Sequence, residues 1–166
     1  YTKLLACAYV FSDSSLANHR AYGDEAAKAL YYIPGDSFVE NFPGKDLEVS
    51  EAAMYWAEAY DMLKGAGFDF AVEGFTDMEN YIREQLVKLR DYMSLYNYLD
   101  SGRPSIAYDF PSVAFYPRGI IDFSSINYFR TDNHHVKLCG ALTILSLVIL
   151  DETGSENILN DARSRL

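Results

Sequence analysis

Residues 104–130, PSIAYDFPSVAFYPRGIIDFSSINYFR, decide the fold class. After Pro104 the pattern changes to short aromatic and β-branched runs at 106–110, 113–116, 120–123 and 126–129, punctuated by Pro111 and by Pro117-Arg118-Gly119. Runs of that length bounded by turn residues predict strands. Pro117-Arg118-Gly119 is placed to fold 113–116 back onto 120–123 as a hairpin. A small antiparallel sheet in the second half is the expectation.

Upstream the grammar is helical. Ile82, Leu86, Leu89, Met93 and Tyr96 alternate by four and three, and Thr76-Asp77-Met78-Glu79 reads as a capping box, so a long helix is expected over 77–99. Before it, Ser50 reads as an N-cap and Gly65 as a C-terminal glycine. Ala53, Trp56, Ala57, Tyr60 and Leu63 form the core face of that helix, while Glu51, Tyr55, Glu58 and Asp61 lie opposite. The cluster Ser12-Asp13-Ser14-Ser15 is expected to cap a helix over 16–32, with Gly23 as its weak point and Pro34-Gly35 as its stop. The opening run 3–11 reads as a buried strand, and 68–72 as a short strand or a packed link. After 130, a buried helix is expected to start after Asp132 or Asn133 and run to Leu150, and Ser155 caps a last short one. Because the strands cluster rather than alternate with helices, these elements predict an α+β fold. A helical first half packs on the sheet, and the late helix is buried.

The chain has 166 residues, enough for one domain, 1–166, with a real core. Its 14 Tyr and 10 Phe exclude a disordered polypeptide. The formal net charge of −10 is local: 13 acidic residues against Lys28, Lys45 and Lys64 lie between Asp24 and Glu79, and the remainder balances 11 acidic with 11 basic. Such a balance argues against direct binding to nucleic acid, which requires Lys and Arg to neutralise phosphates. No charge-free apolar stretch approaches the ~20 residues that span a bilayer. The two cysteines, Cys7 and Cys139, sit among apolar neighbours and read as buried thiols, which points to a reducing, cytoplasmic setting.

Motifs for chemistry are scarce. The sequence contains no Gly-x-Ser-x-Gly elbow, no Cys-x-x-Cys and no phosphate-binding Gly-x-x-x-x-Gly-Lys-Ser/Thr, which weakens hydrolase, redox and nucleotide-triphosphatase readings. Asp132, His134, His135 and Cys139 are the nearest approach to metal ligands. They lack a recognised ligand spacing, so neither a metal nor another cofactor is expected. Tyr108, Asp109, Tyr116, Asp122 and His135 are candidates for an aromatic-lined small-molecule pocket, the sheet's own packing being the simpler use of such aromatics.

The leading expectation is therefore a non-enzymatic interaction module, an inhibitor or immunity-type protein. Glu48, Glu51, Tyr55, Glu58 and Asp61 would occupy a basic site on a partner, either a basic protein or the nucleic-acid-binding site of another macromolecule. The alternatives are the small-molecule pocket, catalytic or not, and a structural subunit that pairs with another copy through the long helix.

Overall fold

The computed structural model describes residues 1–32, 46–95 and 133–164. Six helices account for most of them: α1 (Thr2–Phe11), α2 (His19–Tyr31), α3 (Asp46–Gly65), α4 (Met78–Leu95), α5 (Asn133–Val148) and α6 (Ser155–Ser164). Among the described residues there is no strand, so the expected α+β fold gives way to a helical one. The four runs read as a sheet, 106–129, lie outside the described residues. Where the strand expectation does fall within them, it fails for a physical reason. The opening run is helix α1: it is rich in the helix formers Leu4, Leu5, Ala6 and Ala8, and an apolar run of strand length has no periodicity that separates the two states. Leu4 is 71% exposed and Phe11 82%, whereas a strand inside a sheet would hide both faces.

Helix α3 is the centre of the molecule, packing on α1, α2, α4 and most extensively on α5. Ala53, Ala57 and Ala59 are fully buried, and these small side chains let helices approach α3 closely. Tyr60 and Leu63 complete its core face. Ser50 is not the N-cap, because the helix begins at Asp46 and leaves Ser50 buried with its hydroxyl unpartnered. The C-terminal glycine is also displaced. Phe68 N donates to Leu63 O at 2.9 Å and Gly67 N to Lys64 O at 3.0 Å, with Gly67 at φ 71°, so Gly67 rather than Gly65 closes the helix as a left-handed cap.

Beyond that cap, Phe68, Phe70 and Val72 are buried while Asp69 and Ala71 are exposed. The segment is a packed link that tacks α3 to α4. Its rings meet edge to face, Phe68 and Phe70 at 5.1 Å. In α4 the seam Ile82, Leu86, Leu89 and Met93 is buried as the sequence pattern predicts. All four side chains face the core of this chain, and Tyr96 lies outside the described residues. The capping box is not formed: Glu79 instead accepts from Tyr60 Oη at 3.2 Å and pairs with Lys64. Helix α5 packs on α3, α4 and α6, with Cys139, Leu142 and Leu145 buried, so it is buried on one side, with Val136 and Leu147 about half exposed on the other.

Two arginines one heptad apart on α4 hold the turn between α5 and α6. Arg83 donates through Nη2 to Asp151 at 2.8 Å and to Glu152 at 2.7 Å, and through Nη1 to Tyr60 Oη at 3.4 Å. Arg90, almost fully buried, donates to Ser155 Oγ and to the Thr153 carbonyl at 3.1 Å and pairs with Asp91. One continuous core gathers buried residues from all six helices.

The Arg83 guanidinium holds the Asp151 carboxyl below the usual carboxylate range. A depressed folded pKa contributes stability above the ordinary value of about 4, and that contribution fades as pH falls through the lower folded value. Asp151→Asn is therefore expected to be less stable than the parent at neutral pH and to converge on it as the pH falls through the lowered folded value. Urea unfolding at stepped pH measures this; a constant gap between the two curves across the acid range would contradict the pairing.

Candidate functional site

The α3 surface picked out by sequence carries Glu51, Tyr55, Glu58 and Asp61 at helical spacing on one face. Glu48 belongs to the same helix, and its side chain lies outside the described residues. The structure places basic groups on both flanks of this face. Lys137 of α5 reaches Glu51 Oε2 at 3.1 Å, and Tyr55 Oη donates to Glu51 Oε1 at 2.8 Å. From α1, Lys3 pairs with Glu58, and its ammonium lies 5.3 Å from the centre of the Tyr55 ring. These contacts favour the charged forms: the Tyr55 phenol and the Lys137 ammonium hold Glu51 below the usual range, and the Glu58 carboxylate pushes Lys3 up. Of the four described residues, Asp61 alone is an acid with no ion pair, and it is exposed.

Pairing elsewhere in the acidic segment follows the same pattern. Asp24 pairs with Arg20 at 2.7 Å, Glu25 with Lys28 at 2.7 Å, and Glu79 with Lys64. Among the described side chains between Asp24 and Glu79, the carboxylates left without an ion pair are Asp61, Asp69, Glu73 and Asp77, all exposed. Among the described side chains the uncompensated charge therefore sits at the end of α3 and in the link to α4, and Asp61 alone is shared with the expected face. Its sequence signal is an interval rather than a spacing: from Gly65 to Ile82 there is no Lys or Arg.

The link is shaped as well as charged. An open depression of about 450 Å³ is lined by Asp69, Phe75, Asp77 and Glu79, among others. On its aromatic side Phe75 meets Tyr31 edge-on at 4.9 Å and Tyr32 at 6.1 Å, and Tyr81 stacks on Tyr31 at 4.3 Å. Tyr32 is 69% exposed. Asp69 Oδ1 accepts from Ala71 N at 3.0 Å, and Asp77 takes a positive φ of 53°, a region that Asp and Asn tolerate better than other side chains. The turn chemistry that shapes the link thus leaves its carboxylates facing solvent.

The alternative pocket residues Tyr108, Asp109, Tyr116 and Asp122 lie outside the described residues, as does the side chain of His135 at the start of α5. The metal candidates Asp132, His134 and His135 are in the same position, and Cys139 is buried in the core. Among the described residues no three His, Cys, Asp or Glu side chains converge as metal ligands, and no helix is long and apolar enough to cross a membrane. No protein-family model, no curated protein and no solved structure matches this chain.

Proposed function

We propose that this chain is an interaction module that seats an acidic surface in a basic site of a macromolecular partner, as an inhibitor or immunity-type protein does, and that it works in the cytoplasm. The observation that carries the reading is the group of exposed, unpaired carboxylates at Asp61, Asp69, Glu73 and Asp77. Solubility is served by paired surface charges of both signs; a one-signed group supplies a field that steers an oppositely charged partner. Residues Glu51 and Glu58, with their lysine partners, contribute shape and contact area around Tyr55.

Affinity capture from native extract at low and at high salt tests the reading. A partner held by this surface is expected to be basic and to elute as the Debye length shrinks from about 10 Å at 0.1 M salt to about 3 Å at 1 M. Asp61→Lys is the cleanest variant, because it breaks no internal ion pair. It is expected to weaken capture by about fivefold or more, the size of one reversed rim charge. A partner that remains bound in 1 M salt and ignores Asp61→Lys would remove the proposal.

A further inference from the structure

Helix α1 carries an apolar stripe that its neighbours leave uncovered. Leu5, Ala6 and Tyr9 turn toward the core, and Lys3 and Cys7 reach Glu58 and Met62 of α3. The other side presents Leu4, Ala8 and Phe11, which recur by four and three, with Tyr1 one turn before Leu4. Tyr1, Leu4 and Phe11 each expose at least 71% of their surface, more than Val136 or Leu147 of α5. With aromatic side chains of roughly 150–250 Å² apiece, the stripe amounts to about 450 Å² of apolar surface on one helix face. A patch of that size on a monomer is often an interaction site, whereas singly exposed hydrophobic residues need no explanation.

We infer that this stripe is the docking surface for a second copy of the chain, α1 packing antiparallel on the α1 of its partner. The pattern is self-complementary. A two-fold axis near Ala8 sets Leu4 of each copy against Phe11 of the other, and the small Ala8 side chains at the centre let the two helices approach. Charge favours the same sense. The first turn of α1 holds Lys3 and no acidic residue, and the exposed Asp13 follows its last turn. Antiparallel pairing brings Asp13 of each copy toward the positive end of the other's helix, where a parallel pair would set like ends together. Two chains of net charge −10 also repel least at this end, because Asp13 is the one acidic residue before Asp24. The core of the contact is free of charge, as interface cores are. Two stripes bury about 900 Å² in all, just under the ~1,000 Å² of a stable interface, so the dimer is weak and reversible.

Sedimentation equilibrium of the full chain tests this. The parent is expected to pass from monomer to dimer between about 10 μM and 1 mM, the range of a weak interface. Leu4→Glu and Phe11→Lys are each expected to weaken the dimer by about tenfold or more. Both side chains are exposed, so neither change disturbs the core, and circular dichroism checks that the helices remain. A mixture of the two variants reads the orientation. In the antiparallel pair the introduced carboxylate faces the introduced ammonium, and the unaltered Phe11 of one copy faces the unaltered Leu4 of the other. The mixture is therefore expected to recover dimer that neither variant forms alone. A mixture that stays monomeric overturns the antiparallel pairing. A dimer that both variants leave intact uses another face and overturns the stripe as its seat. A parent still monomeric at 1 mM overturns the second copy as occupant; if Leu4→Glu then also lowers the melting midpoint, the stripe is covered from within the same chain.

Discussion

Arg90→Ala is expected to lower the unfolding free energy by about 3 kcal/mol, from the cavity left by a buried side chain and the polar groups left without their donor. The side chain is 2% exposed and enters the core from α4, so nothing from solvent can replace it. Its removal leaves the Thr153 carbonyl without its donor, breaks the pair with Asp91, and opens a cavity against α6. Ser155 keeps its own bond to the Ile149 carbonyl at 2.7 Å, so the turn loses its anchor but not all of its internal order. Arg90→Met keeps most of the stem's packing and is expected to cost less, about 1–2 kcal/mol, because the missing polar contacts then act without the cavity. Urea unfolding of the two variants separates the terms. Equal losses would mean that the polar contacts carry the whole effect, and a loss under about 1 kcal/mol in Arg90→Ala would place this ion pair with the weak surface pairs.

Gly23→Val is expected to cost about 3 kcal/mol, at the upper end for overpacking. In a sequence reading Gly23 is a helix's weak point, and replacing it with alanine is expected to gain about 1 kcal/mol of propensity. The structure reverses that expectation. A Cβ at position 23 meets Phe68 Cε2 at 2.4 Å, Phe68 Cδ2 at 2.6 Å and Tyr9 Cδ2 at 2.9 Å, and both rings are stiff and already engaged. Tyr9 stacks on His19 at 4.5 Å, and Phe68 lies beneath Arg20 and against Phe70, so neither ring yields without disturbing the start of α2 or the α3–α4 link. Gly23→Ala is expected to be destabilising by about 1–2 kcal/mol net of its propensity gain, with Gly23→Val clearly worse. A thermal melt of Gly23→Ala at or above the parent's midpoint would show that the rings move aside.

Much of the helical half was legible because its signals are local and periodic. Ile82, Leu86, Leu89 and Met93 repeat by four and three over about three turns, and Ala53, Ala57, Tyr60 and Leu63 repeat on α3; a pattern that long excludes a strand. The opening run admits both readings because the eight apolar residues after Lys3 satisfy a buried strand and a helix equally well. The caps were legible only in kind. The approach of Phe68 to Leu63, which no residue pattern reveals, selects Gly67 over Gly65, and Glu79 leaves the capping box because Lys64 and Tyr60 happen to lie within reach. The site was half legible for the same reason. Acidity is a property of composition, but which carboxylates remain uncompensated depends on Lys3, 55 residues from Glu58, and Lys137, 86 residues from Glu51.

That last distance bears on how the chain assembles. Lys137 meets Glu51 near the starts of α5 and α3, and Arg83 links Tyr60 to Glu152 near their ends, so the two helices run in the same direction and lie side by side. Parallel neighbours cannot be joined by a short hairpin. Their main contact closes only after more than eighty residues of chain have been brought round, at an entropic cost that neither helix recovers alone. Helical proteins generally fold quickly because their contacts are near in sequence. Among the described elements the central helix has its most extensive partner far downstream, so the search for that pairing, rather than the formation of any helix, is expected to set the tempo of folding.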